Sequence, residues 1–134
     1  MPLVRIDLVE GKPDTYRAAI GEVLYQAMRA TLNVPENDRF QVFTEHPAAA
    51  MVVDPGYLGI HRSADCVIVQ VTLNEGRTVE MKQAFYRAVA DGLHRELALR
   101  REDVFINLVE VRKENWSFGN GEAQYAESPK PAAG

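Results

Sequence analysis

The sequence predicts an α/β fold: two fused β-α-β units form one four-stranded mixed sheet with two helices on one face. Three observations carry that prediction. First, the chain repeats itself. Leu8, Glu10 and Gly11 recur as Leu73, Glu75 and Gly76, an offset of 65 residues. The same ungapped offset pairs Val4 with Val69, Ala19 with Ala84, Leu32 with Leu97, Asp38 with Asp103, Phe40 with Phe105 and Glu45 with Glu110. Conservative partners keep the register, with Lys12 facing Arg77, Arg17 facing Lys82, Ile20 facing Phe85 and Met28 facing Leu93. Second, each copy reads strand, helix, strand. Third, 134 residues is a single-domain length, at which about two-thirds of the unfolded surface is hidden on folding.

The elements follow in order. Val4, Ile6 and Leu8 alternate with Arg5 and Asp7, the period-2 pattern of a strand. Glu10 to Asp14 breaks it, and Asp14 is the expected helix N-cap. Ile20, Val23, Leu24, Ala27, Met28 and Thr31 then recur at helical spacing. Residues 33–38 form a turn, and residues 39–45 a returning strand. In the second copy Val67, Val69, Val71 and Leu73 repeat the first strand. A helix opens at Thr78 and buries Met81, Phe85, Ala88, Val89 and Leu93. A turn at 98–103 leads to a strand over 104–111. Strand, helix and strand in one sheet mean a parallel pair with a right-handed crossover. The connector over 48–64, holding Pro55, Gly56 and Gly59, reads as a small hairpin. One domain is thus expected over residues 1–126, built from repeats at about 2–46 and 66–111 and a C-terminal segment, with a flexible Pro/Ala/Gly tail at 127–134. The open face of the sheet still carries apolar residues, which oligomerisation would cover.

Composition excludes several classes. Hydrophobic residues at 46% and charged residues at 25% describe an ordinary globular chain rather than a disordered one. A net charge of −4 without long runs gives no electrostatic footprint for nucleic acid or an anionic membrane. A single cysteine, Cys66, rules out an internal disulfide framework and a Cys-based zinc cluster. Apolar runs are far too short to span a membrane. The start, Met1 to Asp7, alternates polarity and does not read as a signal peptide. A cytoplasmic, reduced protein is expected.

Among candidate chemical groups Pro2 stands out. A small residue at position 2 favours removal of Met1, which would leave a secondary amine at the chain start. Such an amine titrates near neutrality and can serve as base, acid, cation or imine-forming nucleophile. The alternative is a proline that merely begins a strand. His46, His61 and His94 show no ligand spacing, so no metal site is expected. Gly119-Asn120-Gly121 does not open a helix after a strand as a phosphate loop would, and Ser63 has no nucleophile-elbow context.

Pro2, the amphipathic β-α-β unit, the Glu75-Gly76-Arg77-Thr78 turn and the duplication together resemble the tautomerase superfamily. Met1-Pro2-Leu3, Asp7-Leu8, Glu10-Gly11, Val34-Pro35-Glu36, Asp38-Arg39, His46, Arg62-Ser63, Phe85-Tyr86, Leu108-Val109-Glu110 and Trp116-Ser117-Phe118-Gly119 resemble its malonate semialdehyde decarboxylase branch, over about residues 1–126. The resemblance implies Pro2 as the catalytic amine and Asp38 as its acidic partner, although Asp38 also reads as a turn carboxylate. It implies Arg77 as a clamp on the substrate carboxylate, where a guanidinium fork suits the geometry. It implies Trp116 and Phe118 as an apolar wall, which could equally seal a subunit interface. The branch carries Arg-Pro-Arg in this turn, whereas this chain reads Asn74-Glu75-Gly76-Arg77. The first arginine has no counterpart, and Arg39 or Arg62 are the expected substitutes.

The function so implied is a cofactor-independent, homotrimeric decarboxylase of a small 3-oxo acid such as malonate semialdehyde, with hydration of an acetylenic acid as a side activity. The alternative is a keto–enol tautomerase of a 2-oxo acid such as phenylpyruvate. A second alternative is a non-catalytic trimeric binding protein. Neither nucleic acid nor membrane is an expected partner.

Overall fold

The computed structural model describes residues 1–126, and the tail expected at 127–134 lies outside the described residues. Strand β1 (Leu3–Val9) crosses through helix α1 (Asp14–Thr31) to the parallel strand β2 (Phe40–His46). A connector leads to β3 (Val67–Asn74), helix α2 (Val79–Leu97) and β4 (Val104–Val111), the second parallel pair. β1 and β3 meet antiparallel in the middle, so the sheet order is β2-β1-β3-β4. The expected four-stranded mixed sheet is therefore the one present. Among the described residues no helix is long and apolar enough to cross a membrane.

Two local expectations change. The connector forms two single 3-10 turns, Ala48–Ala50 and Tyr57–Gly59, rather than a hairpin. Pro47 and Pro55 lack the N–H groups a ladder needs. The Arg62 guanidinium instead gathers the carbonyls of Asp54, Tyr57 and Ile60 at 3.2–3.3 Å. At α1 the cap position belongs to Pro13, with φ −70° and ψ 162° and no side-chain hydrogen bond. Asp14 is the first helical residue, and its carboxylate accepts from Arg17 Nη2 at 2.6 Å. It still meets the positive end of the helix there. α2 opens where its sequence predicts, with Thr78 Oγ1 accepting the Met81 N–H at 3.1 Å as its cap.

The period-2 residues explain the core. Val4, Ile6 and Leu8 of β1 and Val67, Val69, Val71 and Leu73 of β3 are all buried, facing Ile20, Leu24, Met28, Phe85, Val89 and Leu93 of the helices. The helices approach closely at Gly92, where an added Cβ would lie 2.7 Å from Val23 Cγ1. On the opposite face Phe40, Val42, Phe105 and Val109 remain 36–52% exposed.

The 65-residue offset reappears in the geometry. Glu10 N–H bonds the His46 carbonyl and Glu75 N–H bonds that of Val111, both at 2.9 Å. Val34 reaches back to Met28 as Leu99 does to Leu93, both at 3.4 Å. Arg17 pairs with Glu45 at 2.6 Å and Lys82 with Glu110 at 3.0 Å. Gly11 (φ +113°) and Gly76 (φ +122°) take the same turn conformation, one that side chains with a Cβ rarely adopt.

Asp103, the mate of Asp38, is 1% exposed. Its two carboxylate oxygens accept the Ser63 N–H and the Ser63 hydroxyl, each at 2.6 Å. These bonds anchor the connector to the start of β4. Asp103→Ala leaves both Ser63 donors without their partner, and is expected to cost about 1–3 kcal/mol. Urea denaturation at fixed protein concentration measures this; an unchanged midpoint contradicts the anchoring role.

Candidate active site

β1 begins at the start of the chain, and each neighbouring strand brings one group to that end. β2 runs parallel, with Leu3 opposite Phe40, so the turn before β2 lies beside Met1 and Pro2. That turn is closed by Asp38 N–H on the Pro35 carbonyl at 3.3 Å. Asn37 takes a left-handed φ of 69° there, and its N–H is held by the Tyr25 hydroxyl at 2.9 Å. The Asp38 carboxylate, only 12% exposed, receives the α-ammonium of Met1 in a charge-assisted hydrogen bond. Pro2 behind it is buried.

β3 runs antiparallel, so its far end arrives at the same place. Asn74, 6% exposed, closes that end. Its N–H bonds Met1 Sδ at 3.5 Å, and its Oδ1 accepts the Trp116 indole N–H at 2.8 Å. Trp116 stacks on Phe118, with ring centroids 5.3 Å apart and planes 11° from parallel. Tyr125 meets Phe118 edge-on at 4.9 Å. Gln124 closes the intervening loop by accepting the Phe118 N–H and donating to the Gly119 carbonyl, each at 2.9 Å. An aromatic wall thus stands beside the start of β1.

Arg77 lies just past β3. Its Nε and Nη2 donate to the Leu32 carbonyl at 3.1 and 2.8 Å, and its Nη1 donates to the Asn74 carbonyl at 3.1 Å. The guanidinium therefore holds the C-terminal end of α1, where a cation also meets the negative end of the helix.

Two hollows meet at Met1 and Tyr125. One, about 280 Å³, sets Glu36, Asn37 and Asp38 against Phe40 and Phe118. The other, about 320 Å³, is walled by Asn74, Glu75, Arg77 and Lys113. An amine, a carboxylate partner, a cationic hollow and an apolar wall together suit an anionic substrate bearing a carbonyl. A separate hollow of about 240 Å³ lies under the connector, near Val9, Met51, Ser63 and Cys66. Burial pushes the Cys66 thiol up from its ordinary range, with Asp103 adding to the shift, so this sulfur is a poor nucleophile.

The structure sets Asp38 and Phe118 on one hollow and Arg77 on the other, with Pro2 buried behind Met1 and Trp116 stacked on Phe118. It does not bring Arg39 or Arg62 to them. Arg39 donates to Glu22 at 2.9 Å and lies 4.9 Å from the Tyr25 ring centroid. Hydrogen bonds from Gln26 and then Arg39 hold the Glu22 carboxyl below its usual range. Arg62 is committed to the connector carbonyls. Asn74, Lys113 and Tyr125 are the groups that sequence reading did not single out. The signal for Tyr125 was its place in the aromatic cluster after residue 115. Asn74 and Lys113 become visible only once β3 and β4 are known to end beside β1's start.

Known proteins share this fold and family. The family described as "Tautomerase enzyme" matches residues 38–119, and a second of the same description matches residues 2–60. "Probable tautomerase YusQ" of Bacillus subtilis (strain 168) is 40% identical over 127 residues, covering 95% of this chain and 100% of that protein. Among solved structures, FG41 malonate semialdehyde decarboxylase inhibited by 3-bromopropiolate is 36% identical, with a TM-score of 0.86 over 92% of this chain and 93% of the other. A fused 4-OT solved as a symmetric trimer is 26% identical, with a TM-score of 0.76 over 94% and 99%.

Two outcomes are expected from this geometry. Arg77→Ala frees the Leu32 and Asn74 carbonyls, so it should lower unfolding stability by about 1–3 kcal/mol, apart from any effect on binding. Arg77→Lys, unable to bridge both carbonyls, should recover less than half of that loss. Trp116 is the only tryptophan, so intrinsic emission reports on the wall. Phe118→Ala should shift that emission to the red with far-UV circular dichroism unchanged; identical emission contradicts the stacked arrangement.

Proposed function

The chain belongs to the tautomerase superfamily, and from that premise we propose a cofactor-independent decarboxylase of a small 3-oxo acid, with malonate semialdehyde as the reference substrate and Pro2 as the working amine. The observation that carries this reading is Asp38 at the mouth of β1, paired with the chain's terminal ammonium. In this reading Met1 is removed and the Pro2 nitrogen becomes the amine that Asp38 holds. An opposite charge within hydrogen-bond reach favours the charged form of an amine. A cationic Pro2 suits decarboxylation, whereas a neutral one suits proton shuttling.

In this mechanism Arg77 holds the substrate carboxylate, and the protonated Pro2 donates a hydrogen bond to the aldehyde oxygen. The carbon–carbon bond to the carboxylate breaks, CO2 leaves, and the electron pair moves into the carbonyl to form an enol or enolate. Protonation at carbon then yields acetaldehyde, so one proton is consumed for each CO2 released. Trp116 and Phe118 supply an apolar wall that favours this dispersal of charge. Hydration of an acetylenic acid would use the same cation as a side activity. Residues 1–126 act as one domain in this reading, and the exposed Phe40, Val42, Phe105 and Val109 support a homotrimer as the working form. The buried thiol of Cys66 suits a cytoplasmic setting.

A second reading, a keto–enol tautomerase of a 2-oxo acid such as phenylpyruvate, draws on the name of the 40% identical relative. It needs a neutral Pro2 moving a proton between oxygen and carbon.

Proton NMR of malonate semialdehyde with the processed protein, beside Pro2→Ala, decides between them. Mass spectrometry first establishes loss of Met1 in both samples. Acetaldehyde formed only with the native proline is the expected result. No acetaldehyde, with enol turnover instead, favours the tautomerase. Neither activity from a processed chain returns the protein to a binding role.

A further inference from the structure

We propose that Lys113 is the second cation of the substrate-carboxylate seat, facing Arg77 across the hollow at the end of β3, and that it takes the place of the absent arginine. The proposal rests on the oxo-acid reading above. Its starting point is the charge of the hollow. Arg77 and Glu75 both wall it and cancel, and the Met1 ammonium at its edge is committed to Asp38. Lys113 is the residue that makes the hollow net positive, and so able to draw in an anion.

The donor count of Arg77 leaves acceptor sites on the carboxylate for a second donor group. A guanidinium has five N–H donors, and three of those on Arg77 are committed to the carbonyls of Leu32 and Asn74. One N–H remains on each terminal nitrogen, enough for a single fork on a carboxylate that can accept about four hydrogen bonds. Lys113 offers three more donors. Among the described residues no carboxylate lies within salt-bridge reach of its ammonium, whereas Lys12 and Lys82 are paired with Asp65 and Glu110 at 3.1 and 3.0 Å.

The backbone fixes where Lys113 stands. Val111, the last residue of β4, pairs with Asn74 in the sheet. Lys113 opens the short turn Lys113–Asn115, closed by Asn115 N–H on the Arg112 carbonyl at 2.9 Å. Trp116 then returns to Asn74 through its indole N–H. Lys113 is thus bracketed by two contacts that end on the same residue. The ligand class is a monocarboxylate, because a second carboxylate would meet Glu36 and Asp38 in the adjoining hollow.

The test uses the full-length processed protein, with turnover of malonate semialdehyde and, separately, binding of the unreactive 3-hydroxypropionate followed by Trp116 emission. Lys113→Met should raise both KM and the dissociation constant about tenfold or more with kcat little changed. Lys113→Arg should restore both to within about threefold of the original, since charge and donors are kept. Glu75→Gln should tighten binding. If native protein turns over substrate yet Lys113→Met leaves KM and probe binding unchanged, the seat is overturned and the oxo-acid reading stands. If there is no turnover but probe binding responds to all three variants as expected, the seat stands and the reading falls. No probe binding by the unaltered protein overturns the seat.

Discussion

The antiparallel pairing of β1 with β3 is the constraint on which everything else depends. It puts β1 inside the sheet with one parallel and one antiparallel neighbour. A parallel neighbour brings its own beginning to the start of β1, and an antiparallel neighbour brings its end. The chain's first residues therefore meet Asp38 before β2, Asn74 at the end of β3 with Arg77 just past it and, because β4 is parallel to β3, Lys113 and Trp116 after β4. Residues spread over more than a hundred positions converge through strand polarity alone. No long loop is needed to assemble them, which suits a site on rigid elements.

Duplication makes the opposite end of β1 nearly equivalent, and the difference between the two ends is instructive. At one end a chain terminus arrives, and its ammonium takes the Asp38 carboxylate. At the other the connector arrives, and Ser63 fills the Asp103 carboxylate with two hydrogen bonds. The same turn and the same residue type thus yield a charged, partly open pair in one copy and a sealed anchor in the other. Arg77 and its mate Lys12 diverge similarly: the first grips backbone carbonyls beside Met1, the second pairs with Asp65. Repeat equivalence on its own therefore says little about role; the partner that each copy meets decides it.

The two faces of the sheet divide the remaining work. The helix-covered face buries the alternating Val, Ile and Leu residues of the two central strands, which supplies the driving force for folding. The open face keeps Phe40, Val42, Phe105 and Val109 partly exposed beside polar residues such as Arg5, Asp7 and Gln70. Asp7 and His46 make a 2.6 Å contact across β1 and β2.

The sequence by itself determined the four strands, the two helices and the parallel pairing inside each repeat, whereas the antiparallel contact of β1 with β3 belongs to the tertiary structure. Strand alternation, helical spacing and the 65-residue offset are local or periodic signals, and each survives into the fold because burial rewards it directly. It also marked Pro2, Asp38, Arg77, Trp116 and Phe118, through family resemblance rather than periodicity. Only the tertiary structure decided which cations share a hollow. Arg39, adjacent to Asp38 in sequence, turns to Glu22 and Tyr25, while Lys113, 75 positions from Asp38, arrives beside Arg77. Likewise it decided that Arg77 secures α1 as well as facing the hollow, and that Asn74 links Met1 to Trp116. The physical reason is that side-chain partners are set by strand polarity and by where competing carbonyls and carboxylates happen to lie. Neither leaves a period in the sequence.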